Sequence, residues 1–235
     1  MTSGYSTRHA NVKYILWDAS AVIAYYVPEL AATAKAAERV ENLVQSLRHH
    51  RFNGFFYIPN VVVAETFVTF DRYHYSTWDR KVNKKFGAPG RSLHAVRYRS
   101  ARSRFRRDIH NGALFYQCDL NRYHILGLDL ISPVDKHRKF YRKPSVSSMG
   151  TFDLLIGAMA LHFTKIHGPD NFALLTTDRR MQAIFDQTCR TLPASTRRRA
   201  AVLCVTMLSL VRQASDTPCS TWRNDGRPQR GSGGK

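Results

Sequence analysis

Asp18, Glu65, Asp153 and Asp178 are the residues with the clearest capacity for chemistry, because each interrupts an apolar stretch or stands where one ends. Four carboxylates converging on one place would repel one another unless a cation lay between them. Mg²⁺ or Mn²⁺ prefers such hard oxygen donors and keeps waters and substrate phosphate oxygens in the rest of its shell. The chemistry that follows is metal-assisted hydrolysis: an acidified water, and a counter-charge for the phosphate as it is attacked. Each acid also has a plainer reading. Asp18 and Asp178 each precede a helical pattern and suit an N-cap. Asp153 suits the positive end of its own helix. Glu65 lies in VVVAETFV, where a glutamate facing the core needs a partner.

The elements that must position these residues are legible from hydrophobic patterning. Residues 12–17 (VKYILW) and 172–177 (FALLTT) are short apolar runs that stop at Asp18 and Asp178, as buried parallel strands do. A further strand is expected over residues 55–58, with Pro59 opening a helix over 60–74. Residues 19–27 read as a helix ending before Pro28. Residues 33–51 read as an amphipathic helix with Ala37, Val40, Val44 and Leu47 on one face. Residues 125–131 (ILGLDLI) read as another strand, 153–166 as an apolar helix capped by Thr151, 179–187 as a helix and 201–205 as a last strand. Strands alternating with helices predict an α/β fold with a central parallel sheet between helical layers. Ligand sites in such folds lie outside the carboxyl ends of the strands, where Asp18 and Asp178 fall.

Charge supplies the second signal. The chain carries 36 Lys and Arg against 17 Asp and Glu, a net charge of +19, which points to a polyanionic partner. Between residues 72 and 110 the only acids are Asp79 and Asp108, among 12 Lys or Arg. This stretch reads as a basic surface insertion, spanning about 72–124, rather than core. Arg97, Arg99, Arg102, Arg104, Arg106 and Arg107 crowd together there with Tyr98 and Phe105 between them, a pattern suited to phosphate contact and base stacking. A solvated helix face is the plainer alternative. A metal-free reading, with Arg104 and His110 in an R-x₅-H arrangement and His as general base, is weak because both residue types are abundant.

Cys118, Cys189, Cys204 and Cys219 form no C-x-x-C pair, which argues against structural zinc or a redox motif, and they read as reduced thiols. No apolar run approaches a membrane span, and the first residues lack a secretory core. The expectation is a cytoplasmic protein with no membrane partner. Residues 216–235, rich in Gly, Ser, Arg and Pro, read as a disordered basic tail, and 1–215 as the folded domain.

The segments LWDASAVIAYYV, IPNVVVAETFVTF, TFDLLIGAMAL and FALLTTDRRM resemble, in order, the four acidic motifs of PIN-domain ribonucleases, closest to the VapC-type toxins of toxin–antitoxin pairs. The resemblance implies a three-layer α/β/α fold and a Mg²⁺- or Mn²⁺-dependent endoribonuclease. Carried over, Asp18, Glu65, Asp153 and Asp178 match its acidic positions, with Asp178 at the least dependable one. Ser20 and Thr176 match small hydroxyl positions that support the pocket. RNA as substrate, an antitoxin partner and a homodimer are likewise implied. The interval between Glu65 and Asp153 is long for the compact toxins and fits the basic insertion. An RNA-processing nuclease without an antitoxin would share the motif. A DNA nuclease and a non-catalytic RNA-binding protein are the other readings.

Overall fold

The computed structural model describes residues 13–51, 53–75, 93–137, 148–168, 170–178 and 180–184. The order of elements is β1 (Tyr14–Trp17), α1 (Ala19–Tyr26), a 3₁₀ turn (Pro28–Leu30), α2 (Ala34–Arg48), β2 (Phe55–Pro59), α3 (Asn60–His74), α4 (Ala95–His110), β3 (Tyr116–Cys118), α5 (Arg122–Leu126), α6 (Leu128–His137), α7 (Thr151–His167) and β4 (Phe172–Leu175). All four strands are parallel, in the order β3-β2-β1-β4.

β1 lies between β2 and β4, with Tyr14 opposite both Phe55 and Phe172. Covered on both faces, it presents Ile15, Leu16 and Trp17 wholly buried, which is why its sequence shows a continuous apolar run rather than alternation. Successive side chains point to opposite layers. Trp17 packs edge-on against Tyr25 of α1, whereas Tyr14 stacks on His167 of α7. Tyr57 of β2 likewise stacks on Phe163 of α7. Helices α1–α4 pack on one another in one layer, and α5–α7 form the other. The fold is therefore a three-layer α/β/α arrangement around a parallel sheet.

Three expectations need correction. Residues 125–131 are not a strand. Asn121 caps a helix there by accepting from the Tyr123 and His124 amides, and Gly127 turns the chain between α5 and α6. A Cβ at Gly127 would come within 2.9 Å of the Ala158 Cβ, so the glycine permits the close approach of this turn to α7. The basic stretch is not purely a surface lobe. Tyr98, Ala101 and Phe105 recur at helical spacing and bury one side of α4 against the core, and β3 joins the sheet. Finally, α7 is capped by Gly150, and Thr151 is its first residue.

The expected strand at 201–205, the tail at 216–235, and Cys189, Cys204 and Cys219 lie outside the described residues. Among those described, no helix is long and apolar enough to cross a membrane.

Candidate active site

Asp18 follows the last residue of β1, and its own backbone N–H donates to the Leu175 carbonyl at the end of β4, 3.0 Å away. The strand register thus fixes it between two strand ends. Its side chain caps α1 and is only 3% exposed. Three donors reach it: the Ser20 amide at 3.3 Å, the Ser20 hydroxyl at 2.5 Å and the Thr176 hydroxyl at 2.8 Å. All three go to Oδ2, so Oδ1 takes part in none of these bonds. Ser20 is held in turn, accepting from the Thr177 amide at 2.9 Å, while Thr176 accepts from the Asp178 amide at 3.0 Å. Both hydroxyl residues named from sequence therefore act on Asp18, tying the end of β1 to the turn after β4.

Glu65 lies in the second turn of α3, half-buried, and its Oε2 is buried with no hydrogen-bond partner. Burial pushes its carboxyl up to about 7, and the nearby Asp18 and Asp153 charges add to the shift. Asp153, in the first turn of α7, accepts from the Gly150 amide at 3.1 Å through Oδ2. Its carboxyl is raised by burial despite that bond, with Asp178 adding and Arg180 opposing. Asp18 is raised for the same leading reason, burial, which outweighs the lowering by Ser20 and Thr176.

Asp178 behaves differently. Burial would raise its carboxyl, but the Arg180 side chain and backbone bonds from Arg180 and Met181 prevail and hold it below the ordinary range. The Arg180 guanidinium meets Oδ2 at 2.8 Å, and the Arg180 amide donates to Oδ1 at 2.7 Å. The fourth acid is thus already neutralised by a neighbour two residues on. Sequence reasoning missed Arg180, although its adjacency to Asp178 on a helical turn was visible. It also missed Asp135 of α6, which is 3% exposed, accepts from the Met149 amide and contributes to the field on Arg180.

Asp18, Asp153 and Asp178 therefore do local work as caps or an ion-pair partner, as their plainer reading holds, whereas Glu65 keeps a buried oxygen without a partner. Asp18, Glu65 and Asp153 nevertheless share a field in which each is pushed toward its neutral form. On donor type they fit a hard divalent cation, and the unpartnered Glu65 oxygen and the spare Asp18 oxygen are suitable ligand atoms. The side chains are not gathered into a ligand shell as they stand: among the described residues, no group of three or more His, Cys, Asp or Glu is arranged to hold a metal ion.

The six arginines diverge along α4. Arg97 pairs with Glu29 at 3.5 Å, Arg99 donates to the Ala95 carbonyl, and Arg104 lies over the Tyr25 and Tyr26 rings. Arg102 pairs with Asp71 at 2.7 Å. Arg106 is exposed and lines a cavity with Arg102, while Arg107 is exposed on the same helix. Arg104 is engaged by the Tyr25 and Tyr26 rings, whereas His110 lines the cavity with Phe67 and Gln117. Comparison with family models, curated proteins and solved structures returns no match. The reading of the site rests on its own residues.

Proposed function

We propose that this protein is a metal-dependent endoribonuclease that hydrolyses RNA phosphodiester bonds at the carboxyl ends of β1 and β4. The observation that carries the proposal is a Glu65 oxygen buried and unpartnered beside Asp18 and Asp153, three carboxylates from separate elements that burial pushes toward their neutral forms. A fold retains such an arrangement at a cost in stability, and an incoming cation would relieve it.

Asp18, Glu65 and Asp153 are the residues that would hold Mg²⁺ or Mn²⁺. When bound, the ion supplies an acidified water and a counter-charge on the phosphate. Ser20 and Thr176 fix the Asp18 carboxylate through Oδ2 and leave Oδ1 outside these bonds. Asp178 holds Arg180 beside Asp153, so a cationic donor stands next to the carboxylates where a phosphate would enter. α4 guides the RNA backbone, and the net charge of +19 makes binding fall steeply with salt.

The test is cleavage of a mixed RNA substrate with Mg²⁺ or Mn²⁺, with EDTA, and with Asp18→Asn. Metal-dependent cutting that Asp18→Asn abolishes, in a variant that stays folded and still binds RNA, supports the proposal. Cutting that survives EDTA overturns it. The ion pair between Arg180 and Asp178 and the ungathered carboxylates favour a second reading, a non-catalytic RNA-binding protein. RNA binding without cleavage under either ion would select it.

A further inference from the structure

Away from the acids, α3, α4 and β3 border an open cavity of about 370 Å³ lined by Phe67, Arg102, Arg106, Ile109, His110 and Gln117. Its size falls in the range of small-ligand clefts. Arg102, Arg106 and His110 recur at four-residue spacing, so they form one stripe along α4. Arg102 is fixed in place: its guanidinium pairs with Asp71, contacts the Tyr98 hydroxyl, and lies 5.6 Å from the Phe67 ring centre and 5.7 Å from that of Tyr98. A guanidinium held among aromatic rings extends the surface on which a base can stack. The side chains of Arg106 and His110 are exposed and, among the described residues, make no hydrogen bond or ion pair. Gln117 stands exposed on the edge strand, with an amide that both donates and accepts. Acids on or beside these elements are already engaged: Asp71 by Arg102, Asp108 by the Tyr26 hydroxyl at 2.6 Å and Asp119 by the Asn60 side-chain amide.

We propose that this cavity is a nucleotide-binding subsite, in which Arg106 and His110 take a phosphate, Arg102 stacks on a base and Gln117 bonds the base edge. Fixed stacking groups, free cationic or N–H donors and an amide from a third element are the parts a nucleotide unit needs. A merely solvated arginine face has no need of the cavity or of Gln117. Phe67 and Glu65 share α3, so one helix carries both this subsite and an acid of the candidate active site. The proposal rests on α4 as the RNA-facing helix and not on hydrolysis.

The experiment therefore uses the full chain in EDTA, where the acidic site repels anions and cannot cut. Fluorescence anisotropy with a labelled five-nucleotide RNA reads strand binding, and NMR shifts of the Gln117 side-chain amide with adenosine 5′-monophosphate read a free nucleotide. Arg106→Glu is expected to weaken RNA binding about tenfold beyond the charge-matched control Lys35→Glu, and Gln117→Ala a few-fold. A shift of the Gln117 amide with the mononucleotide identifies a free nucleotide as sufficient; a shift with the oligonucleotide alone assigns the subsite to a strand. Equal losses in Arg106→Glu and Lys35→Glu, with the Gln117 amide unmoved by either probe, would overturn the proposal and leave the hydrolytic reading untouched.

Discussion

Among the described residues, two partly buried clusters of titratable side chains are built on opposite terms. The first joins α5 to α7: His162 Nδ1 lies 2.9 Å from His124 Nε2, and His124 is 1% exposed. The His124 Nδ1 accepts from the Asn121 amide at 3.1 Å, so the ring proton belongs on Nε2, which donates to His162. Tyr123 stacks on His162. Burial, and then His162, push His124 down to about 4; burial and Lys165 push His162 down too. Both rings are neutral, and both nitrogens of His124 are accounted for. In the acidic cluster, burial pushes Asp18, Glu65 and Asp153 up, a neighbouring carboxylate adds to each shift, and Glu65 leaves an oxygen with no partner. A buried polar cluster that satisfies itself holds elements together, whereas one that strains against itself implies a counter-charge from outside.

The largest expected effect breaks the acidic side of this comparison. Asp18→Asn should lower metal-dependent RNA cleavage by on the order of 10³-fold. Asn remains a competent N-cap for α1, so thermal unfolding should shift little. Retained cleavage, measured on a preparation whose circular dichroism matches wild type, would remove Asp18 from the site.

The histidine side breaks in the opposite sense. His124→Ala orphans the Asn121 amide and the His162 ring inside the α5–α7 contact, and should cost about 2–3 kcal/mol. Cleavage per folded molecule should not change. Denaturant unfolding read beside specific activity separates the two clusters: one governs turnover, the other stability.

The sequence made the acidic cluster more visible than the histidine pair for a physical reason. Asp18 and Asp178 end short apolar runs rich in strand formers, and the sheet rule places the ends of such strands together. His124 and His162 lie in separate helices, and no local pattern announces that they meet. The short runs were ambiguous in the same way. ILGLDLI fits a buried strand or a helix, and the Asn121 cap with the Gly127–Ala158 approach decides for helix. β3 has three residues at a sheet edge, two of them exposed, and carries no hydrophobic pattern to find. In α4 the density of arginines hid the buried stripe of Tyr98, Ala101 and Phe105. For Asp178 the position was legible, but its capture by Arg180 depends on a side-chain conformation that spacing alone leaves open.

A pH comparison sharpens the contrast without metal. Glu65 titrates from the model-peptide value of 4.5 up to about 7 on folding, so the folded state holds an extra proton in that window. Its contribution is fully present below pH 4.5 and is lost as pH rises through about 7. His124 moves from 6.5 down to about 4, so its contribution is present above 6.5 and lost as pH falls toward 4. The two slopes oppose each other in the wild type. In EDTA, Glu65→Gln should therefore match wild type near pH 4.5 and exceed it at pH 8, as read by thermal unfolding. Saturating Mn²⁺ at pH 8 should raise the wild type and narrow or reverse that gap. A Glu65→Gln curve parallel to wild type across the range would place Glu65 in solvent and dissolve the contrast.

The smallest effect concerns the pair that belongs to neither extreme. Arg180 and Asp178 are a satisfied ion pair at the edge of an unsatisfied cluster, with side chains 50% and 23% exposed. At that exposure Arg180→Ala should change stability by less than about 1 kcal/mol. Its consequence lies in metal binding: removing the guanidinium frees the Asp178 carboxylate and takes a positive charge from beside Asp153. Mn²⁺ affinity, measured by calorimetry, should rise several-fold. Comparing Arg180→Ala with Arg180→Ala/Asp178→Asn then divides that gain. If the double variant keeps all of it, Arg180 acted only through the field on the other three acids, and Asp178 is a cap. If the double variant falls back to wild-type affinity, Asp178 is a fourth ligand that Arg180 releases when the ion arrives, and the boundary between the satisfied and the strained cluster runs through one side chain.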